Sequence, residues 1–92
     1  MHARVTTFEA TDIASIEAQL DVLAEKTAAI PGLVRSNVVW GDDGKGVLMA
    51  IYESAEAATA GQAHALQIWG SIITLLTGMP ESIEYAKVRM MK

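Results

Sequence analysis

Residues 31–54 read Pro-Gly-Leu-Val-Arg-Ser-Asn-Val-Val-Trp-Gly-Asp-Asp-Gly-Lys-Gly-Val-Leu-Met-Ala-Ile-Tyr-Glu-Ser, and they decide the fold. Val34–Trp40 is rich in β-branched residues and reads as a strand. Gly41–Gly46 is dense turn chemistry, and Val47–Tyr52 is a second strand. Asp-Gly between two such runs is a strong hairpin signal. With Asp43-Gly44 as a two-residue turn, Trp40 pairs with Val47, Val38 with Met49 and Ser36 with Ile51 on one face. Val39 with Leu48, Asn37 with Ala50 and Arg35 with Tyr52 fall on the other. A longer turn reassigns every one of these residues.

On the N-terminal side, Ala3–Phe8 alternates, with Ala3, Val5 and Thr7 on one face and Arg4, Thr6 and Phe8 on the other. It reads as a strand. Thr11-Asp12 offers N-cap oxygens, and Ile13, Ile16, Leu20, Leu23, Thr27 and Ile30 then recur at helical spacing until Pro31-Gly32. On the C-terminal side, Ser54 caps a second helical segment, Ala55–Thr77, predicted to bend near Gly61. Its expected stripe is His64, Ile68, Ile72 and Leu75, with Trp69 beside it. Gly78 and Pro80 end it, and Ser82–Met91 resumes alternation as a closing strand. The order β-α-β-β-α-β predicts an α+β, ferredoxin-like domain over residues 1–92 with a four-stranded antiparallel sheet.

The chain has 92 residues, of which 51% are hydrophobic and 20% charged, an apolar excess for one small domain. Both helices lie on one sheet face in this fold, so the other face needs a cover. A homodimer packed sheet to sheet supplies it. The net charge of −4 offers no basic face for nucleic acid. No cysteine is present, which excludes disulfides, thiolate metal sites and a Cys nucleophile. Metal-ligand spacing and a Gly-rich phosphate loop are also missing. No signal-peptide run or membrane span of roughly 18 apolar residues occurs, so the expected location is cytoplasmic, with no membrane partner.

Ile30-Pro31-Gly32-Leu33, the Gly-Asp hairpin tip, and Tyr52-Glu53-Ser54-Ala55-Glu56-Ala57 leading into an Ala-rich helix with His64 carry a resemblance. Across essentially the whole chain, the sequence resembles the dimeric α/β-barrel superfamily and, within it, the antibiotic-biosynthesis-monooxygenase-like family. The resemblance implies cofactor-independent oxidation of a small phenol- or quinol-type aromatic compound. An electron-rich substrate anion there reacts with oxygen directly, so no cofactor is expected. The family's haem-degrading branch carries Asn on the first strand and Trp and His ten residues apart on the second helix. Here Thr6 and Thr7 stand in that strand, and the helix positions fall near Gly61 and Ser71. Haem degradation is therefore not expected.

Candidate site residues follow from chemistry. His64 is the one side chain expected to titrate near neutral pH within the fold, and is the candidate general base if it faces a pocket. Its alternative is a boundary histidine satisfied by water. Trp40 and Trp69 are candidate aromatic walls, or else core fillers. Tyr52, Arg35 and Asn37, expected on one face, are candidate ligand hydrogen-bonding groups, or else dimer-interface groups. Two functions stay open: a monooxygenase-like enzyme acting on a small aromatic compound, and a non-catalytic homodimeric binding or interaction module. A pocket of about 300 Å³ or more between sheet and helices distinguishes the first.

Overall fold

A computed structural model describes all 92 residues. In chain order the elements are strand β1 (His2–Glu9), helices α1 (Ile13–Glu17) and α2 (Leu20–Ala28), strands β2 (Leu33–Trp40) and β3 (Lys45–Tyr52), helix α3 (Ala55–Gly70) and strand β4 (Glu81–Tyr85). The sheet is antiparallel, in the order β2-β3-β1-β4. This is the expected β-α-β-β-α-β arrangement, its first helix divided in two. No helix is long and apolar enough to cross a membrane.

The hairpin closes through three residues, Asp42-Asp43-Gly44, instead of two. Gly41 N–H donates to Lys45 O at 3.0 Å, and Gly44 N–H to Gly41 O at 3.0 Å. Gly44 has φ +83°, the left-handed residue that such a loop requires. Trp40 therefore pairs with Gly46 and Val39 with Val47, one residue away from the expected register. The alternation of β2 is as expected, but every residue of β3 moves to the opposite face. Tyr52 leaves Arg35 and Asn37 and joins Ser36, Val38 and Trp40 on the side covered by helices. An irregularity between Leu33 and Arg35 sets Leu33 opposite Tyr52.

Two predicted N-caps are present. Asp12 accepts from Ser15 N–H at 3.1 Å, and Ser54 Oγ from Ala57 N–H at 3.1 Å. The first helix is interrupted at Ala18-Gln19, where Gln19 N–H bonds back only three residues, to Ile16 O at 2.9 Å. Its apolar stripe survives the interruption, because Ile16, Leu20, Leu23, Thr27 and Ile30 all face the sheet.

Helix α3 runs unbroken through Gly61 and ends at Gly70, followed by a short 3-10 turn, Ile73–Leu75. Gly61 serves close packing, not a bend. A Cβ there would lie 2.8 Å from Cε1 of Tyr52 and 3.1 Å from Cγ2 of Ile30. The inward stripe is Ala58, Gly61, Ala65, Ile68 and Ile72, and its small members let the helix approach Tyr52. Ile72 is buried, and Trp69 packs half-buried against the same cluster.

Strand β4 stops at Tyr85, well short of the expected Met91. Ala3 pairs with Tyr85 and β1 begins at His2, so the residues after Tyr85 have no strand to join. The sheet face away from the helices carries Ala3, Val5, Val39, Val47, Met49, Ile51, Ile83 and Tyr85. Val39 is 63% exposed, Ile83 59% and Met49 44%.

Gly61→Ala gains up to about 1 kcal/mol of helix propensity but overpacks Tyr52 at roughly 1–3 kcal/mol, so the variant should be less stable than the parent. At Gly70 a Cβ meets nothing within 4 Å. Gly70→Ala should therefore stabilise by up to about 1 kcal/mol. Urea midpoints of the two variants should move in opposite directions.

Candidate functional site

A cavity of about 470 Å³ lies between the sheet and the helices. Of its 22 lining residues, 17 are hydrophobic. β1 contributes Phe8, β2 Val38 and Trp40, β3 Leu48 and Ala50, α2 Leu20 and Leu23, and α3 Ile68 and Trp69. Phe8 and Trp69 meet with ring centroids 5.5 Å apart and planes tilted by 53°, a favourable aromatic geometry.

One end of the cavity is polar and buried. Arg4, Thr6 and Tyr52 have relative exposures of 8%, 2% and 1%. They point the same way because Arg4 and Thr6 alternate with outward Ala3, Val5 and Thr7, while Tyr52 follows the shifted register. Directly across the β1–β4 ladder, Arg4 faces Glu84 and Thr6 faces Ser82. Arg4 Nε donates to Glu84 Oε2 at 2.7 Å, and Thr6 Oγ1 lies 2.8 Å from Ser82 Oγ. Arg4 Nη2 donates to the Ala58 carbonyl of α3 at 2.8 Å. Nη1 lies 3.5 Å from Tyr52 Oη, and the guanidinium carbon sits 5.4 Å from the centre of the tyrosine ring. His2 Nε2 reaches the other carboxylate oxygen of Glu84 at 2.9 Å.

Three expected site residues come together here: Trp40, Trp69 and Tyr52 all line the cavity. Trp40 stands at its edge, 39% exposed. Arg35 and Asn37 do not line it. They are exposed on the opposite sheet face, across from Ile51 and Met49. His64 is also exposed and outside the lining, so the condition attached to it as a base is not met. Ala65 takes the inward position in place of His64, while Ile68 and Ile72 of the expected stripe do face the cavity. His64 is likewise not the one histidine engaged in the fold, since His2 is held by Glu84. No group of three or more His, Cys, Asp or Glu side chains comes together as a metal site.

The residues missed by sequence reasoning are Arg4, Thr6, Ser82 and Glu84. A signal for them existed. The ferredoxin-like order sets the first strand beside the last, and Arg4 and Thr6 then face Ser82 and Glu84 as complementary partners.

No family model matches the chain, and no curated protein matches it in sequence. Solved structures match it over nearly its whole length. A Nitrosomonas europaea protein named as a candidate antibiotic biosynthesis monooxygenase superposes with a TM-score of 0.79 at 16% identity, covering 97% of this chain and 100% of that one. A variant of SnoaB, a cofactor-independent oxygenase from Streptomyces nogalater, gives 0.77 at 19% identity, covering 98% and 95%. Rv0793 from Mycobacterium tuberculosis gives 0.76 at 22% identity, covering 99% and 98%. The fold is that of the antibiotic-biosynthesis-monooxygenase-like proteins.

The Glu84 carboxyl is pushed up by partial burial, but hydrogen bonds from Arg4 and His2, and their charges, outweigh this and hold it below the ordinary glutamate value. A carboxyl lowered on folding stabilises the protein fully above its unfolded pKa of about 4.3, and this is lost as pH falls through the folded value. Urea titrations of the parent and Glu84→Gln should therefore differ at pH 7 and converge only once the pH has fallen through the lowered Glu84 value. A gap that stays constant with pH would assign the loss to something other than this carboxylate.

Proposed function

We propose that the chain is a homodimeric, monooxygenase-like protein that binds a small aromatic compound between sheet and helices and oxidises it without a bound cofactor. The cavity carries this reading. Its volume falls within the roughly 300–1,000 Å³ of small-molecule sites. Its walls present Phe8, Trp40 and Trp69 for a planar ring, and the likeness in fold to a cofactor-independent oxygenase supports the chemistry. The substrate loses a proton to give an electron-rich anion, which reduces oxygen. Apolar walls keep water from the intermediate. With His64 outside the cavity, the proton passes to water at the open edge beside Trp40, and the protein's part is to bind and orient the ring and to shield the intermediate.

The dimer is supported by Val39, Met49, Ile83 and Tyr85, apolar side chains exposed on the sheet face away from the helices. A second copy seated there should bury on the order of 2,000 Å² in total. Light scattering at micromolar concentration should then give twice the chain mass of 9.8 kDa.

Anthrone is a suitable substrate probe, because its methylene becomes a carbonyl with one oxygen atom while the other leaves as water. The purified protein should accelerate quinone formation with matching oxygen uptake. Trp69→Ala should lower the rate by about tenfold, equivalent to about 1.4 kcal/mol of lost transition-state binding. Binding of the quinone without any acceleration would favour the non-catalytic module. Absence of both binding and turnover would remove the cavity from consideration.

A further inference from the structure

Arg4 and Asp21 are the only charged residues lining the cavity, and Asp21 is exposed on α2. The buried charged group of the lining is therefore the Arg4 guanidinium, ion-paired to Glu84 at 2.7 Å, at the end formed by Arg4 and Tyr52. Of the five N–H donors on a guanidinium, two make short bonds, from Nε to Glu84 and from Nη2 to Ala58 O. The third contact, Nη1 to Tyr52 Oη at 3.5 Å, is at the outer limit of a hydrogen bond. In that contact Tyr52 accepts, so its own hydroxyl hydrogen has no partner. Donor capacity is thus left unspent on two adjacent groups.

We propose that the cavity takes an aromatic carboxylate, its ring against Trp69 and Phe8 and its carboxylate held by Arg4 Nη1 and the Tyr52 hydroxyl. This rests on the reading of the cavity as a site for a small aromatic compound and narrows the substrate class. Glu84 does not itself line the cavity. Its side chain is 46% exposed and meets Arg4 through Nε, on a different edge of the guanidinium from Nη1. A guanidinium favours a carboxylate over a neutral amide of the same shape, and the apolar walls weaken competition from water. Attraction by overall charge cannot mimic this preference, because the chain carries a net charge of −4.

Calorimetric titration of the full chain at pH 7 with 2-naphthoate, 2-naphthamide and 2-naphthol tests the assignment. Naphthoate should bind about 10–100-fold more tightly than the amide, as expected for a hydrogen bond to a charged group. Naphthol, protonated at this pH, should bind like the amide. Tyr52→Phe keeps the ring and should shrink the ratio several-fold. Arg4→Gln should bring it close to one. Should Arg4→Gln fail to fold, the parent's ratio and Tyr52→Phe still decide. Equal affinity for naphthoate and naphthamide would overturn the proposal and leave the aromatic cavity standing. A preference that survives both substitutions would also overturn it. If none of the three probes binds, the proposal falls together with the aromatic reading.

Discussion

The guanidinium of Arg4 is the point at which the layers of this small domain are fixed to one another. From β1 it reaches β4 through Glu84, α3 through the Ala58 carbonyl and β3 through Tyr52. A buried charge tolerates few alternative arrangements. Removing a partner from a fully buried pair costs roughly 3–5 kcal/mol, whereas apolar contacts can be exchanged at smaller cost. Glu84 is half open to water, so its own share is smaller. The combined effect is to define where α3 and the last strand sit relative to the centre of the sheet.

The cavity follows from how α3 meets that sheet. Near Ala58 and Gly61 the side chains are small, and the helix comes within contact of the Tyr52 ring. Further along, the indole of Trp69 and the ring of Phe8 stand between helix and sheet. Close approach at one end and bulky rings at the other leave space between them. Helix α2 closes it with Leu20, Leu23 and Thr27. Small residues are therefore as important to the site as the aromatic ones that line it.

Periodicity and turn chemistry made the element order, both N-caps and the inward stripe of the first helical region legible in the sequence. What stayed hidden depends on single-residue offsets. Asp43-Gly44 fits a two-residue turn as readily as the end of a three-residue one, and the longer loop is the one closed by hydrogen bonds from Gly41 to Lys45 and from Gly44 to Gly41. That offset separated Tyr52 from Arg35 and Asn37. On α3, bulk marked Ile68 correctly as inward, but the small residues Ala58, Gly61 and Ala65 complete that face in place of His64, with Gly61 leaving room for Tyr52. Arg4 is only one member of a strand face with Thr6 and Phe8 until Glu84, 80 positions later, is placed opposite it.

That sequence separation has a consequence for how the chain is made. Strand β1 is synthesised before the other strands, at roughly 5–20 residues per second, yet Arg4 and Thr6 meet Glu84 and Ser82 only after β4 has been made. Until then the guanidinium stays hydrated, and one edge of β1 has no neighbour. The hairpin of β2 and β3, built from local contacts, can form long before this. Folding is therefore committed late, when a five-residue strand docks and closes the longest loop in the molecule. Its arrival pairs the edge of β1 and draws Arg4 out of water in a single event.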